Sequence, residues 1–153
     1  MKAITLWPEW AYAICALGKR VENRSWQPGR ALRVGDKVAI HAGKNIGGRP
    51  GVATFAEAVL NVTRMHRLAN DGVAPAGLRT ALQVCPRSAI VAVATVASFD
   101  QEQRTGWDVP DSWHWRLSDV VVLANPIQCA GAQGLWTPSD DIQGVIAARL
   151  EAA

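Results

Sequence analysis

Residues 3–8 read Ala3-Ile4-Thr5-Leu6-Trp7-Pro8, and the next ten run Glu9-Trp10-Ala11-Tyr12-Ala13-Ile14-Cys15-Ala16-Leu17-Gly18. The change of rhythm at Pro8 decides how the chain begins. Ala3 to Trp7 is a short apolar stretch suited to a strand. Proline fits the first turn of a helix, where its missing N–H costs nothing. Trp10, Ala13, Ile14 and Leu17 then recur at i, i+3, i+4 and i+7, one apolar helical face. Gly18 supplies a stop. The segment predicts a strand feeding directly into an amphipathic helix over Pro8–Leu17.

Outward from this pair the pattern shortens. Val21–Trp26 is extended and polar, and Gln27-Pro28-Gly29-Arg30 is a turn. Leu32 and Val34, then Val38 and Ile40 after a turn at Gly35-Asp36, read as strands. Alternation sets Val38, Ile40 and Ala42 on one face, with Lys37, Ala39 and His41 on the other. Gly43–Gly51 is a glycine-rich loop. Val52, Phe55, Val59 and Val62 give Val52–Leu68 a helical period, and Pro75–Val84 reads as a second short helix. Residues 45–86 therefore form a helical insertion between strands.

Ala89–Ala97, apolar and rich in valine, predicts a central buried strand, and Asp100–Asp111 a polar loop. Trp113, Trp115 and Leu117 alternate with His114 and Arg116, with the tryptophan pair expected to face the core. Val120–Leu123 continues the sheet, Pro126–Ala130 is extended, Gly131–Gly134 is a tight loop, and Leu135-Trp136 returns to the core. Asp140–Leu150 is a closing helix capped by Ser139 or Asp140. This order predicts an α+β fold, a compact β-barrel with flanking helices, in one domain over 1–153. There is no GxGxxG or Walker loop.

Composition narrows the function classes. Hydrophobic residues are 49% and charged residues 19%, as in a globular chain rather than a disordered one. No apolar run approaches the roughly 18–20 residues of a membrane span. The opening segment lacks a signal peptide's long apolar stretch, so the cytoplasm is the expected compartment and no membrane partner is expected. Cys15, Cys85 and Cys129 are far apart without CxxC spacing and read as small buried hydrophobes. No carboxylate–histidine set has metal spacing, so neither metal nor cofactor is expected.

The net charge of +3 conceals an asymmetry. Lys19 to Arg49 holds eight basic residues against Glu22 and Asp36, a net of +6; Ser98 to Ala153 holds three against eight acidic ones, a net of −5. The first half therefore offers a candidate anion-binding surface, or charges that merely solvate loops and edges. Among the seven tryptophans, those near basic residues can stack on a base, while the others fill the core.

Three segments in this order resemble the ASCH family, within the PUA-like group. They are Ile4–Ala11; Gly18-Lys19-Arg20-Val21-Glu22-Asn23-Arg24-Ser25-Trp26 followed by Ala39-Ile40-His41-Ala42-Gly43-Lys44; and Trp113-His114-Trp115-Arg116-Leu117 with Pro126-Ile127 and Gly131-Ala132-Gln133-Gly134-Leu135-Trp136. Residues 45–86 fall outside the match. The resemblance implies a small PUA-like β-barrel with a cleft between the first helix and the barrel. Family members are linked to RNA binding and to coactivator proteins. One bacterial branch hydrolyses an acetylated cytidine nucleoside, and another is associated with RNA cleavage.

The candidate site residues follow. If Lys19–Trp26 is extended, Glu22, Arg24 and Trp26 share one face, offering a carboxylate, a guanidinium and a stacking indole. The alternative is a salt-bridged strand with Trp26 in the core. Lys44 enlarges an anion site. His41 is a proton carrier or a structural histidine. Gln133 reads a base edge or braces its turn. Trp10, Lys19, Arg24, Trp26, Lys44 and Gln133 are thus the expected ligand contacts, for single-stranded RNA or a modified nucleoside.

Catalysis would fall to Lys19, Glu22 and His41, an inventory of cation, base and acid for a ribonuclease or amidohydrolase. Lys19 matches the lysine of the acetylcytidine-hydrolysing branch. The hydroxyl nucleophile that branch carries three residues on is replaced by Glu22, and its third group, a glutamate, has only Glu57 as a candidate. A protein-interaction module anchored by exposed tryptophans is a further alternative.

Overall fold

A computed structural model describes all 153 residues. The chain runs β1 (Lys2–Leu6), α1 (Pro8–Ala16), β2 (Val21–Arg24), β3 (Lys37–Ala42), α2 (Phe55–Ala69), α3 (Leu78–Val84), β4 (Ala89–Asp100), β5 (Trp113–Gln128), β6 (Leu135–Trp136) and α4 (Asp140–Glu151), with a 3-10 turn at Gly29–Ala31. The strands form one mixed sheet in the order β2-β5-β4-β3-β1-β6. Only β1 and β3 pair in parallel. That pairing needs a crossover, and the α1–β2 segment supplies it.

The sheet curls into a half-barrel. Arg24, on the edge strand β2, donates from Nη2 to the backbone oxygen of Thr5 on β1 at 2.9 Å, so strands far apart in sheet order meet in space. The α+β barrel with flanking helices expected from the sequence is the architecture that forms.

Both sheet faces are covered. Ile4, Leu6, Val38, Ile40, Ala42, Trp115 and Leu117 pack with Ile14 of α1. Ala3, Ala39, Ile90 and Val93 pack on the opposite face with Ile146 of α4. The second face of β3 is therefore buried at Ala39 and His41, and only Lys37 reaches solvent. Between β3 and β4, α2 and α3 pack through Val62, Leu78 and Leu82 onto Trp10 and Tyr12.

Helix α3 begins at Leu78, not Pro75, and β2 ends at Arg24, not Trp26. The sequence expectations need larger correction in four places. Leu32–Val34 is not a strand: the 3-10 turn ends at Ala31 and Gly35 turns again at φ +89°, leaving Leu32 buried and Val34 63% exposed. Helix α2 begins at Phe55, not Val52, because Thr54 and Glu57 form a reciprocal capping box. The Pro126–Ala130 and Val120–Leu123 pieces join Trp113–Leu117 in one long strand, β5. Its register against β4 slips at three irregularities, which absorb the residues that read as turns. Finally, Trp115 is in the core as expected, but His114 is equally buried on the other face. The 100–111 segment covers it there, held by Asp108 accepting the backbone N–H groups of Arg104 and Thr105.

Candidate nucleic-acid interface

The parallel pair β1–β3 ends at Leu6 and Ala42, and Gly43 N donates to Leu6 O at 2.8 Å. Beyond that point the chains diverge, and a cleft of about 690 Å³ opens. Arg24, Lys44 and Arg49 line it, with Trp7, Ser88 and Gln133. Its lining includes no carboxylate. Thr5 and His41 are also lining residues, where the last registered pair before the ends of β1 and β3 sits.

The Gly43–Gly51 loop carries two of the cations and is moored to α1. Glu9, 1% exposed, accepts the Gly47 N–H on Oε1 at 2.9 Å. Burial raises the pKa of Glu9, and the hydrogen bonds to backbone N–H groups together with nearby Arg87 partly oppose that rise. Gly48, at φ +82°, lies so close to Trp7 that a Cβ would stand 2.4 Å from the indole. This contact props Trp7, 42% exposed, at the cleft edge.

His41 is held by a continuous hydrogen-bond chain. Trp136 Nε1 donates to Thr5 Oγ1 (3.1 Å), Thr5 Oγ1 meets His41 Nδ1 (3.2 Å), and His41 Nε2 meets the Cys129 carbonyl (3.0 Å). Every group is satisfied if the imidazole is neutral with its proton on Nε2, the tautomer this network selects. Burial lowers the His41 pKa, against the bond to Cys129. Gly131 closes over the pair, where a Cβ would fall 2.5 Å from His41 Cε1.

Lys19 and Glu22 line a separate, smaller cavity of about 170 Å³ with Trp10, Asn23, Met65 and Val109. Lys19, 2% exposed, donates from Nζ to the Val21 carbonyl and faces Glu22 Oε2 at 3.6 Å, with the Trp10 ring 5.8 Å away. Burial pushes its amine pKa down, with Glu22 countering. Glu22 Oε1 lies 2.9 Å from Arg24 Nε. Arg24 thus joins the two cavities, paired with Glu22 behind and lining the basic cleft in front.

Of the residues singled out from sequence, Arg24, His41, Lys44 and Gln133 line the large cleft, while Trp10, Lys19 and Glu22 line the small one. His41 therefore does not share a cavity with Lys19 and Glu22. Trp26, 36% exposed, stands edge-on to Trp115 at 5.0 Å, beside Gly134 of the cleft rim. Sequence reasoning did not single out Trp7, Arg49 or Ser88. Glycines at 47, 48 and 51, all with positive φ, were the available signal that the backbone around Arg49 was shaped to approach something closely.

No protein-family model matches the chain, and no curated protein matches it. Solved structures do. The ASCH protein of Zymomonas mobilis superposes with a TM-score of 0.56 at 15% identity, covering 95% of this chain and 93% of that one. A tyrosine-to-phenylalanine variant of it gives 0.55 at 15% identity over 95% and 96%, and a serine-to-alanine variant 0.56 at 15% over 96% and 94%. The fold is the ASCH fold. Coverage of both chains end to end means that the ASCH likeness includes the segment between β3 and β4 as well as the barrel.

Proposed function

We propose that this chain binds single-stranded RNA, or a nucleotide-like ligand such as a modified nucleoside, in the cleft between the start of α1 and the barrel. The observation that carries this reading is the cleft's charge. Arg24, Lys44 and Arg49 line it, no carboxylate is among its lining residues, Glu22 pairs Arg24 only from behind, and the exposed indole of Trp7 sits at its edge. Cations take phosphates, an exposed indole stacks a base, and the Gln133 amide can meet a base edge. The ASCH fold supports the reading by analogy only.

The test is tryptophan fluorescence during titration with a short single-stranded RNA at several salt concentrations. Saturable quenching is expected. Three phosphate contacts give log K a slope of about −2 against log salt, and Arg24→Ala should flatten that slope by nearly one contact. A salt-independent signal, or none at low salt, would overturn RNA binding and leave a free modified nucleoside or a protein partner to be titrated next.

A second reading, hydrolysis at Lys19 and Glu22, is favoured by one observation: burial lowers the pKa of Lys19 beside a carboxylate. Its test is turnover of acetylated cytidine and of RNA by the wild type and Glu22→Gln. Turnover lost in the variant while RNA binding persists would support chemistry at the small cavity; absence of turnover in the wild type removes it.

A further inference from the structure

Four residues other than glycine have positive φ: Asp71, Ser88, Asp111 and Asp119. Aspartate tolerates this region because its short carboxylate bonds the local backbone, and all three aspartates are exposed. Ser88, at φ +49°, is the exception in type and place. It is half-buried and lines the basic cleft. A glycine there would remove the steric cost.

The backbone of Ser88 is clamped on both sides. Its N–H donates to Gly43 O at 3.1 Å, and its carbonyl accepts from Cys129 N at 2.9 Å. The first bond sets it beside Lys44, and the second beside the 130–134 loop that carries Gln133. The clamps hold the main chain in its costly conformation, and the hydroxyl makes no hydrogen bond with the protein. A strained side chain that lines a cleft and satisfies nothing inside the fold has the character of a group kept for a ligand.

We infer that the Ser88 hydroxyl is a ligand contact, donating a hydrogen bond to a phosphate oxygen of an RNA strand held by Lys44. The inference rests on the RNA reading of the cleft and adds to it a neutral donor for one phosphate. A hydroxyl donor beside a cation fixes the orientation of a phosphate that the flexible lysine alone would hold loosely.

The experiment sets Ser88→Gly against Lys44→Ala, with one short single-stranded RNA as probe and thermal melting in parallel. Ser88→Gly releases the strain and deletes the hydroxyl. Its melting temperature should rise, by roughly 2–4 °C, while RNA affinity falls about tenfold. A stability role alone cannot produce that opposition. If Ser88→Gly melts higher and binds as the wild type does, while Lys44→Ala weakens binding, the Ser88 inference is overturned and the cleft stands. If neither variant changes binding, or the wild type binds no RNA, the cleft reading falls and the inference with it. Loss of stability in Ser88→Gly would also overturn it, because the conformation would then not be strained.

Discussion

Arg24 Nε lies 2.9 Å from Glu22 Oε1, while the other oxygen of the same carboxylate faces Lys19 Nζ at 3.6 Å. One carboxylate therefore serves two cations, the Lys19 side chain 2% exposed and Arg24 22%. The Arg24 contact lies off the N–H axis and works as an ion pair more than as an aligned hydrogen bond. Removing the carboxylate strands a buried ammonium. Glu22→Gln should cost about 3 kcal/mol of unfolding free energy, and adding Lys19→Met should return part of it by removing the uncompensated charge. Urea unfolding of the two singles and the double measures this. A Glu22→Gln cost below about 1 kcal/mol would mean that the group behaves as a solvated surface pair.

The His41 chain makes a second prediction, with a pH sign. Thr5→Val leaves Trp136 Nε1 and His41 Nδ1 without partners and should cost about 2 kcal/mol, whereas Thr5→Ser should cost much less. Burial sets the folded-state pKa of His41 below its ordinary 6.5. The unfolded chain then binds the proton more readily, so the stability contributed by neutral His41 is present above pH 6.5 and is lost as pH falls through the lowered value. Melting temperatures from pH 7.5 to 5 should fall more steeply in the wild type than in His41→Asn. Parallel slopes would rule out this titration.

The local devices were legible because each is written in neighbouring residues. Pro8 and Gly18 bracket α1, with Gly18 at φ +72°. Ser139 caps α4 through Ile142 N. The Val38-Ile40-Ala42 face was readable by alternation, and its burial is as expected. The continuity of β5 was not legible, because Asp119 at φ +44° and Asn125-Pro126 carry turn chemistry that register slips absorb. The cleft depends on long-range pairing. Trp7, Lys44 and Ser88 lie far apart in sequence and meet because β1, β3 and β4 end or begin at one place. The run of positive charge was visible from composition, but not that Lys19 turns into the small cavity while Lys44 and Arg49 line the large cleft.

Arg116 predicts an acid- and protease-sensitive segment. It binds Asp100 through Nε (3.1 Å) and Nη2 (2.9 Å), Asp108 through Nη1 (2.6 Å), and the Glu102 carbonyl through Nη2 (2.7 Å). The Arg116 hydrogen bonds hold Asp100 at about 2, below the ordinary 3.8. Burial pushes Asp108 up, but the bonds from Arg116 and from the Arg104 and Thr105 N–H groups outweigh it. Stability from both carboxylates is present above pH 3.8 and lost as pH falls through the lowered values. Arg116→Met should open residues 101–111 to limited proteolysis at neutral pH and flatten the loss of melting temperature between pH 4 and 2. An unchanged cleavage pattern would show that Asp108 and its backbone donors hold the segment alone.

Gly48 and Gly51 offer a matched pair for the aromatic edge of the cleft. Both have strongly positive φ, +82° and +85°, so alanine meets a similar backbone penalty at each, about 1 kcal/mol. They differ in surroundings. A Cβ at Gly48 would stand 2.4 Å from Trp7 Cε2, whereas at Gly51 it meets nothing within 4 Å. Trp7 is 42% exposed and is the group free to give way. Gly48→Ala should therefore displace the indole, shift its emission and weaken RNA binding severalfold, while Gly51→Ala should lose comparable stability with emission and binding unchanged. Fluorescence spectra, melting and RNA titration of the two variants decide it. Equal effects on binding would assign the loss to the backbone of the loop and not to the position of Trp7.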